Sequence, residues 1–502
     1  MGGAAAADLP VKAKAVEYVR VCSLHGAGFF YIPGTDTCIK LGGYVRADTT
    51  FHGGVHGQPA WNGDLGQGNR YADYFVSRSR MALTVDTRTA SEYGVVRTFG
   101  QGNFQFSTFG GSTANPTSLA ASLGTNASLL DTPGGGYVAV EYLFIQFAGF
   151  TFGKSASAYA TPWQGFPGNL SSNLIGGQNT DTGLNNIQYK VEFGNGVSAS
   201  VGLDDPTVWN RTAVYNLATG LNAVGVTGNA YAGTHAPDVV GNIRIDQAWG
   251  LFQLSAAAHE VSGSYNILTA TTAAPNNLSE ISGHPDTKWG GAVMAALQIK
   301  NLPTGAGDDI KIDASYARGA TKMVIATSGA SPSFAMFGGS NIAYQSVGFG
   351  ATTDAVYLPV INGGTGDLKL TEAFGVRGAF NHNWNAYWIT SLNGSASWVR
   401  YGGSVGDLTS AKGQYCAAYT AGKVVSADYS CNPNYAVYQL GVVTRWTPLK
   451  NLTFSAEVQY LRLDQNFIGT AVLTPAAPKP TAVYQFRDQD AVQLQLRVQR
   501  NF

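Results

Sequence analysis

The chain has 502 residues, 31 of them basic and 31 acidic, and only 12% are charged, beside 63 glycines and 12% aromatics. Zero net charge argues against a nucleic-acid binder, whose phosphate contacts need a basic surplus, and without a run of about 18 apolar residues a helical membrane protein is excluded. Mean hydropathy is nevertheless near zero, because Asn, Thr, Ser and Gln stand where a soluble protein would carry Lys and Glu, a mixture suited to a wall touched by lipid on one side and water on the other.

Residues 1–37 read as an irregular leader, whose opening MGGAAAADLP has the small-residue composition of a signal-peptide tail. Residues 38–502 read as one β-domain. Its first strand, from Ile39, puts Leu41, Val45, Thr49 and Phe51 on one parity and Lys40, Tyr44, Arg46 and Asp48 on the other. The second, over 71–88, sets Phe75, Met81, Leu83 and Val85 outward and Arg78, Arg80, Thr84, Asp86 and Arg88 inward. A third follows at 93–104, a fourth at 137–147 and a short fifth at 150–154. Alternation fails at YLFIQF (142–147), so that segment is expected to be buried on both faces, as at a subunit contact.

A loop over 155–183 leads to a clear hairpin. Ile187, Tyr189, Val191 and Phe193 oppose Asn186, Gln188, Lys190 and Glu192, and Asn195-Gly196 turns the chain into 197–204. Strands continue at 243–247, 252–259, 289–300, 310–318, 370–380, 384–401, 435–446 and 452–463. The last, DAVQLQLRVQRNF (490–502), alternates apolar and polar side chains and ends on Phe502, as expected of a strand closing a cylinder between lipid and water. The count is about sixteen, with short turns alternating with long Gly/Ser/Thr/Asn loops, the asymmetry of outer-membrane barrels.

The four cysteines form two local pairs, Cys22 with Cys38 and Cys416 with Cys431. These spacings suit loop-closing disulfides, each worth about 3 kcal/mol on the chain-entropy model, better than zinc, and disulfides imply export to an oxidising compartment. Catalysis finds no foothold. GFTFGKS (149–155) has its glycines too close for a phosphate-binding loop and no helix after it, and His52 and His56 share a Gly-rich loop that fixes no common face. No cofactor or metal is expected. What stands out is Arg46, Arg78, Arg80 and Arg88 on one inner parity. Facing lipid, each would cost about 2–4 kcal/mol at the midplane, so they face water, either as a solvated wall or as one side of an ion-sorting constriction.

VEYVRVC (16–22), GAGFFYIPGTDTCIKLGGYVR (26–46), SRSR (77–80) and FAGFTFGK (147–154), with the terminal Phe, resemble the alphaproteobacterial (Rhizobiales-type) porin family. The resemblance implies a 16-stranded antiparallel transmembrane β-barrel, trimeric, in the Gram-negative outer membrane, with short periplasmic turns, long external loops and a third loop folded inward. That loop corresponds to 155–183. It implies a general diffusion porin for small hydrophilic solutes and ions, with Arg46, Arg78 and Arg80 lining the pore and Arg88 nearer a turn. Family loops usually face such arginines with several carboxylates, whereas this one has only Asp181, with Lys154 at its entrance. A mild preference for anions is therefore expected. The alternatives are a substrate-specific channel and a non-conducting surface or adhesin barrel.

Overall fold

The computed structural model describes residues 20–54, 57, 68–69, 74–107, 137–170, 174–268, 275–326 and 333–502. The expected signal remnant, His56 and the start of the second strand lie outside them. Seventeen strands share one sheet; one is the two-residue strand Phe30–Tyr31, and the other sixteen close into a barrel. We number these in chain order: β1 Thr37–Phe51, β2 Phe75–Ser91, β3 Gly94–Ser107, β4 Tyr137–Phe147, β5 Phe150–Ser155, β6 Leu184–Gly194, β7 Val197–Asp204, β8 Asp238–Gln247, β9 Gly250–Val261, β10 Lys288–Lys300, β11 Asp309–Arg318, β12 Glu372–Asn383, β13 Trp388–Arg400, β14 Tyr435–Leu449, β15 Leu452–Gln465 and β16 Gln489–Asn501. Every neighbouring pair is antiparallel, and β16 pairs back onto β1 through Tyr44↔Asn501 to Phe51↔Leu494, so the sheet closes on itself and has no edge strand.

The alternation read from the sequence is the inside–outside alternation of this wall. Leu41, Val45, Phe75, Phe104, Leu392, Val458 and Val492 are exposed on the outside, while Arg78, Asn103, Gln253, Arg377, Glu457 and Gln495 are shielded inside it. Near the short-turn end, outward Trp388, Trp446 and Phe454 stack in a row, with centroids 5.7 and 5.4 Å apart, an aromatic girdle at a membrane interface. Asn195 and Gly196 take positive φ as a tight hairpin demands. A Cβ on Gly196 would meet the Asp246 carbonyl oxygen at 1.9 Å.

Three expectations need correction. Alternation fails at YLFIQF because its inward parity carries Tyr142 and Phe144, which pack on Phe99 of β3, and because a β-bulge just before it resets the parity. The β3–β4 register shifts between Gln101 and Gly102, which oppose Tyr142 and Val140, leaving Glu141 as the extra residue that lets the chain change parity. Val138 and Val140 before it and Leu143 and Ile145 after it are all exposed, so the segment is not buried on both faces within the chain. β12 and β13 are shorter at their near ends than expected: Leu368–Leu370 pairs instead with Ala355–Tyr357 in a small loop sheet, and the Asn385 side chain accepts from the backbone of Tyr387 and Trp388 to make a turn. The leader is not wholly irregular, since Phe30 and Tyr31 pair with Ile39 and Cys38.

The long loops share a core of their own. Phe334, Phe349, Tyr415, Tyr419, Phe467 and Phe486, from three loop regions, bury one another, so the barrel end opposite the short turns carries a packed cap. Cys22–Cys38 and Cys416–Cys431 are joined, the second pinning the helix Ala411–Thr420 into that cap.

Candidate functional site

The third long loop is built into the lumen over its described residues, 156–170 and 174–183. Its carbonyls accept from inward side chains: Ala158 from Asn242 of β8 (2.5 Å), Ala160 from Gln253 of β9 (2.9 Å), Pro167 from Asn381 of β12 (3.0 Å) and Gly168 from Arg445 of β14 (2.6 Å). Its amides at Leu170 and Ile175 donate to Glu457 of β15 and Gln439 of β14 (3.0 and 2.8 Å). Backbone groups shut away from bulk water need such partners, so the wall's Asn, Gln, Arg and Glu residues hold this loop in place.

Opposite its returning limb the wall is basic, and the register explains the order. Asp48 of β1 stands level with Arg78 of β2 and Arg497 of β16, and Arg46 with Arg80 and Gln499. Like charges directly across strands repel; Asp48 separates its two arginines, binding Arg78 Nη2 at 2.6 Å and Arg497 Nε at 2.5 Å. In the next row amides serve: Arg46 Nε donates to Gln499 Oε1 and Arg80 Nε to Gln105 Oε1, both at 2.8 Å. Asp48 thus largely neutralises Arg78, whereas Arg46 and Arg80 rest on amides in this row.

The carboxylates facing them come from two sources. The bulge turns Glu141 inward, where it accepts from Asn103 and lies 3.6 Å from Arg80 Nη1. From the loop comes Asp181, in electrostatic range of Arg46 and Arg80. Asp181 keeps surface open to the lumen, yet the surrounding barrel removes enough water to raise its carboxyl above the ordinary aspartate value, with the two arginines pulling the other way. Lys154 does not project freely: its Nζ donates to the carbonyls of Glu141 (2.9 Å) and Thr182, tying the loop's entrance to its exit. Arg88 lies eight residues along β2 from Arg80, roughly 26 Å at about 3.3 Å per residue. It shares Asp86 with Arg97 (3.2 and 3.0 Å) and stacks over Phe29 of the leader, at the short-turn mouth of the barrel.

Of Arg46, Arg78, Arg80, Arg88, Lys154 and Asp181, grouped from the sequence, the structure brings all but Arg88 into one neighbourhood. Sequence reading gave no role to Asp48, Arg497 or Glu141. Asp48 and Arg497 carried a usable signal, both lying on polar parities. Glu141 carried a misleading one, since the bulge that aims it breaks the pattern. Below the loop, on the short-turn side, lie cavities of about 620 and 220 Å³. Gln188, Lys190 and Ser200 line both.

Among the described residues, a sixteen-strand barrel carries its third loop into the lumen beside an arginine row. The family model described as "Porin subfamily" matches residues 8–495. The chain belongs to this porin subfamily. The porin is 30% identical to Porin Omp2b of Brucella neotomae over 330 residues, 61% of this chain and 80% of that one, and 30% identical to Porin Omp2b of Brucella abortus (strain 2308) over 316 residues, 59% and 76%. In fold it is similar to the outer membrane channel DcaP of Acinetobacter baumannii, with a TM-score of 0.54 at 13% identity over 94% of this chain and 99% of that one. It is an outer-membrane diffusion porin.

Proposed function

We propose that this porin passes small hydrophilic solutes with a mild preference for anions, through a neck bounded by Arg46 and Arg80 on the wall and by Asp181 and Glu141 across from them, and that it works as a homotrimer. The charge census carries the selectivity. Arg46, Arg78, Arg80, Arg497 and Lys154 supply five positive charges and Asp48, Glu141 and Asp181 three negative ones, a surplus of two. At physiological salt the screening length is about 8 Å, comparable to a neck of this kind, so the surplus is felt by an ion in transit.

Support for the trimer comes from the height of the wall. A membrane-crossing strand needs about 9–11 residues, but β5 has six and β7 eight, and β5 reaches only Leu143–Phe147 of β4. Hydrocarbon cannot satisfy a backbone edge, and a neighbouring copy would cover this low sector. Planar-bilayer recording tests both statements: steady ohmic current closing in three steps, with a reversal potential displaced toward the anion limit, is the expected result. Current saturated by one solute would favour a substrate-specific channel, and a silent bilayer would overturn both.

A further inference from the structure

Arg377 of β12 is 1% exposed and lies on the wall away from the arginine row. Its guanidinium is wholly engaged: Nε donates to Asp313 Oδ1 and Oδ2 (2.8 and 3.1 Å), Nη1 to the carbonyls of Leu174 and Gly177 (3.2 and 3.0 Å), and Nη2 to that of Gln178 (2.8 Å). Asp313 of β11 takes a further bond from Trp163 Nε1 at 2.7 Å, so one buried ion pair grips the third loop at two points eleven residues apart.

The loop backbone lies unusually close here. A Cβ on Gly375 would meet Gly176 Cα at 2.4 Å, and one on Gly177 would meet Asp313 Oδ1 at 2.6 Å. From the other side Gly176 N donates to the Val324 carbonyl (2.9 Å), and Gly177 bridges to Ile325. The loop is therefore pressed between the barrel wall and the sixth long loop, and it leaves this grip at Gln178, three residues before Asp181.

We infer that Arg377 and Asp313, with the glycine contact of Gly176 on Gly375, form a clamp that sets the aperture and holds Asp181 across from Arg46 and Arg80. Arg377 is a positioning residue: it meets no solute, and it acts on permeation through where it fixes residues 174–181. A buried ion pair is a costly choice for mere adhesion, since well-packed apolar residues do as well. A fork binding three carbonyls within five residues of loop backbone supplies what apolar packing cannot, a fixed register. This inference rests on the reading of Asp181 as part of the neck.

Removing Arg377 alone would strand the Asp313 charge, so the test uses the charge-balanced pair Arg377→Gln/Asp313→Asn, and separately Gly375→Ala, which alters no charge and pushes Gly176 off the wall. Each is refolded to trimers of wild-type mobility before recording. The expected result is a larger and noisier open-channel current, entry of larger sugars in liposome swelling, and a reversal potential moved further toward the anion limit as Asp181 leaves the arginines. Should the double variant misfold, Gly375→Ala carries the test alone. Wild-type conductance, noise and reversal potential in correctly folded variants would overturn the clamp while leaving the diffusion function intact; a non-conducting wild type would instead overturn the neck itself.

Discussion

At the scale of single residues, the neck is set by which charges already have partners. Arg78 is shielded and shares Asp48 with Arg497, so removing it mainly unbalances a buried pair. Arg46 leans on an amide, and Arg80 leans on an amide and lies 3.6 Å from Glu141, a longer pairing than the 2.6 Å contact of Arg78 with Asp48. Arg46→Ala/Arg80→Ala should therefore move the reversal potential toward the cation side in a salt gradient, and further than Arg78→Ala does; equal shifts would mean the register argument is wrong. Glu141→Gln removes one of three negative charges and should move it the opposite way, strengthening anion preference. Asp181 adds a dependence on pH. Its carboxyl is raised by desolvation, so it takes up a proton at higher pH than a free aspartate, near 3.9, while the arginines stay charged. Acidification should then make the neck more positive and the porin more anion-preferring, and Asp181→Asn should remove that part of the shift. A reversal potential whose pH course is the same in wild type and Asp181→Asn would show that Asp181 does not face the stream.

At the scale of elements, one bulge and one disulfide differ in what they do. The bulge in β4 lets Val138 and Val140 face lipid on one parity, Leu143 and Ile145 on the other, and Glu141 reach the lumen between them. A period of two cannot express this, which is why the strand's existence and ends were legible while its inward residue was not. The Cys416–Cys431 bond closes fifteen residues of the cap, remote in the chain from the neck, and is worth about 3 kcal/mol on the loop-entropy model. Cys416→Ser/Cys431→Ser should make the 401–434 loop an early site of proteolytic cutting in folded protein while open-channel conductance stays at the wild-type value. Conductance altered along with protease sensitivity would show that the cap gates the passage.

At the scale of the molecule, strand length and symmetry are linked. Fourteen strands other than β5 and β7 have ten or more residues, so the wall dips in one sector, on the side where the third loop turns inward. In the proposed trimer, side chains there meet a neighbouring copy. Charged substitution at outward positions of that sector, such as Leu143→Arg, should break trimers on mild-detergent gels, whereas Val293→Arg on the full-height wall of β10 should cost membrane stability, by about 2–4 kcal/mol near the midplane, with less loss of trimers among molecules that insert.

The sequence alone determined the strands, their count, the inside and outside of most of them, though not of β3 or β4, and the two cysteine pairings, because each follows from local rules: a period of two, turn chemistry and short loop closure. Which charges meet was decided only by the closed barrel. Arg497 and Asp48 are separated by 449 residues and become neighbours because β16 pairs back onto β1. Arg377 binds a loop about two hundred residues earlier in the chain, through carbonyls that every residue carries. No residue pattern marks a carbonyl as a partner, so the placement of that loop, and with it the shape of the neck, belonged to the tertiary structure.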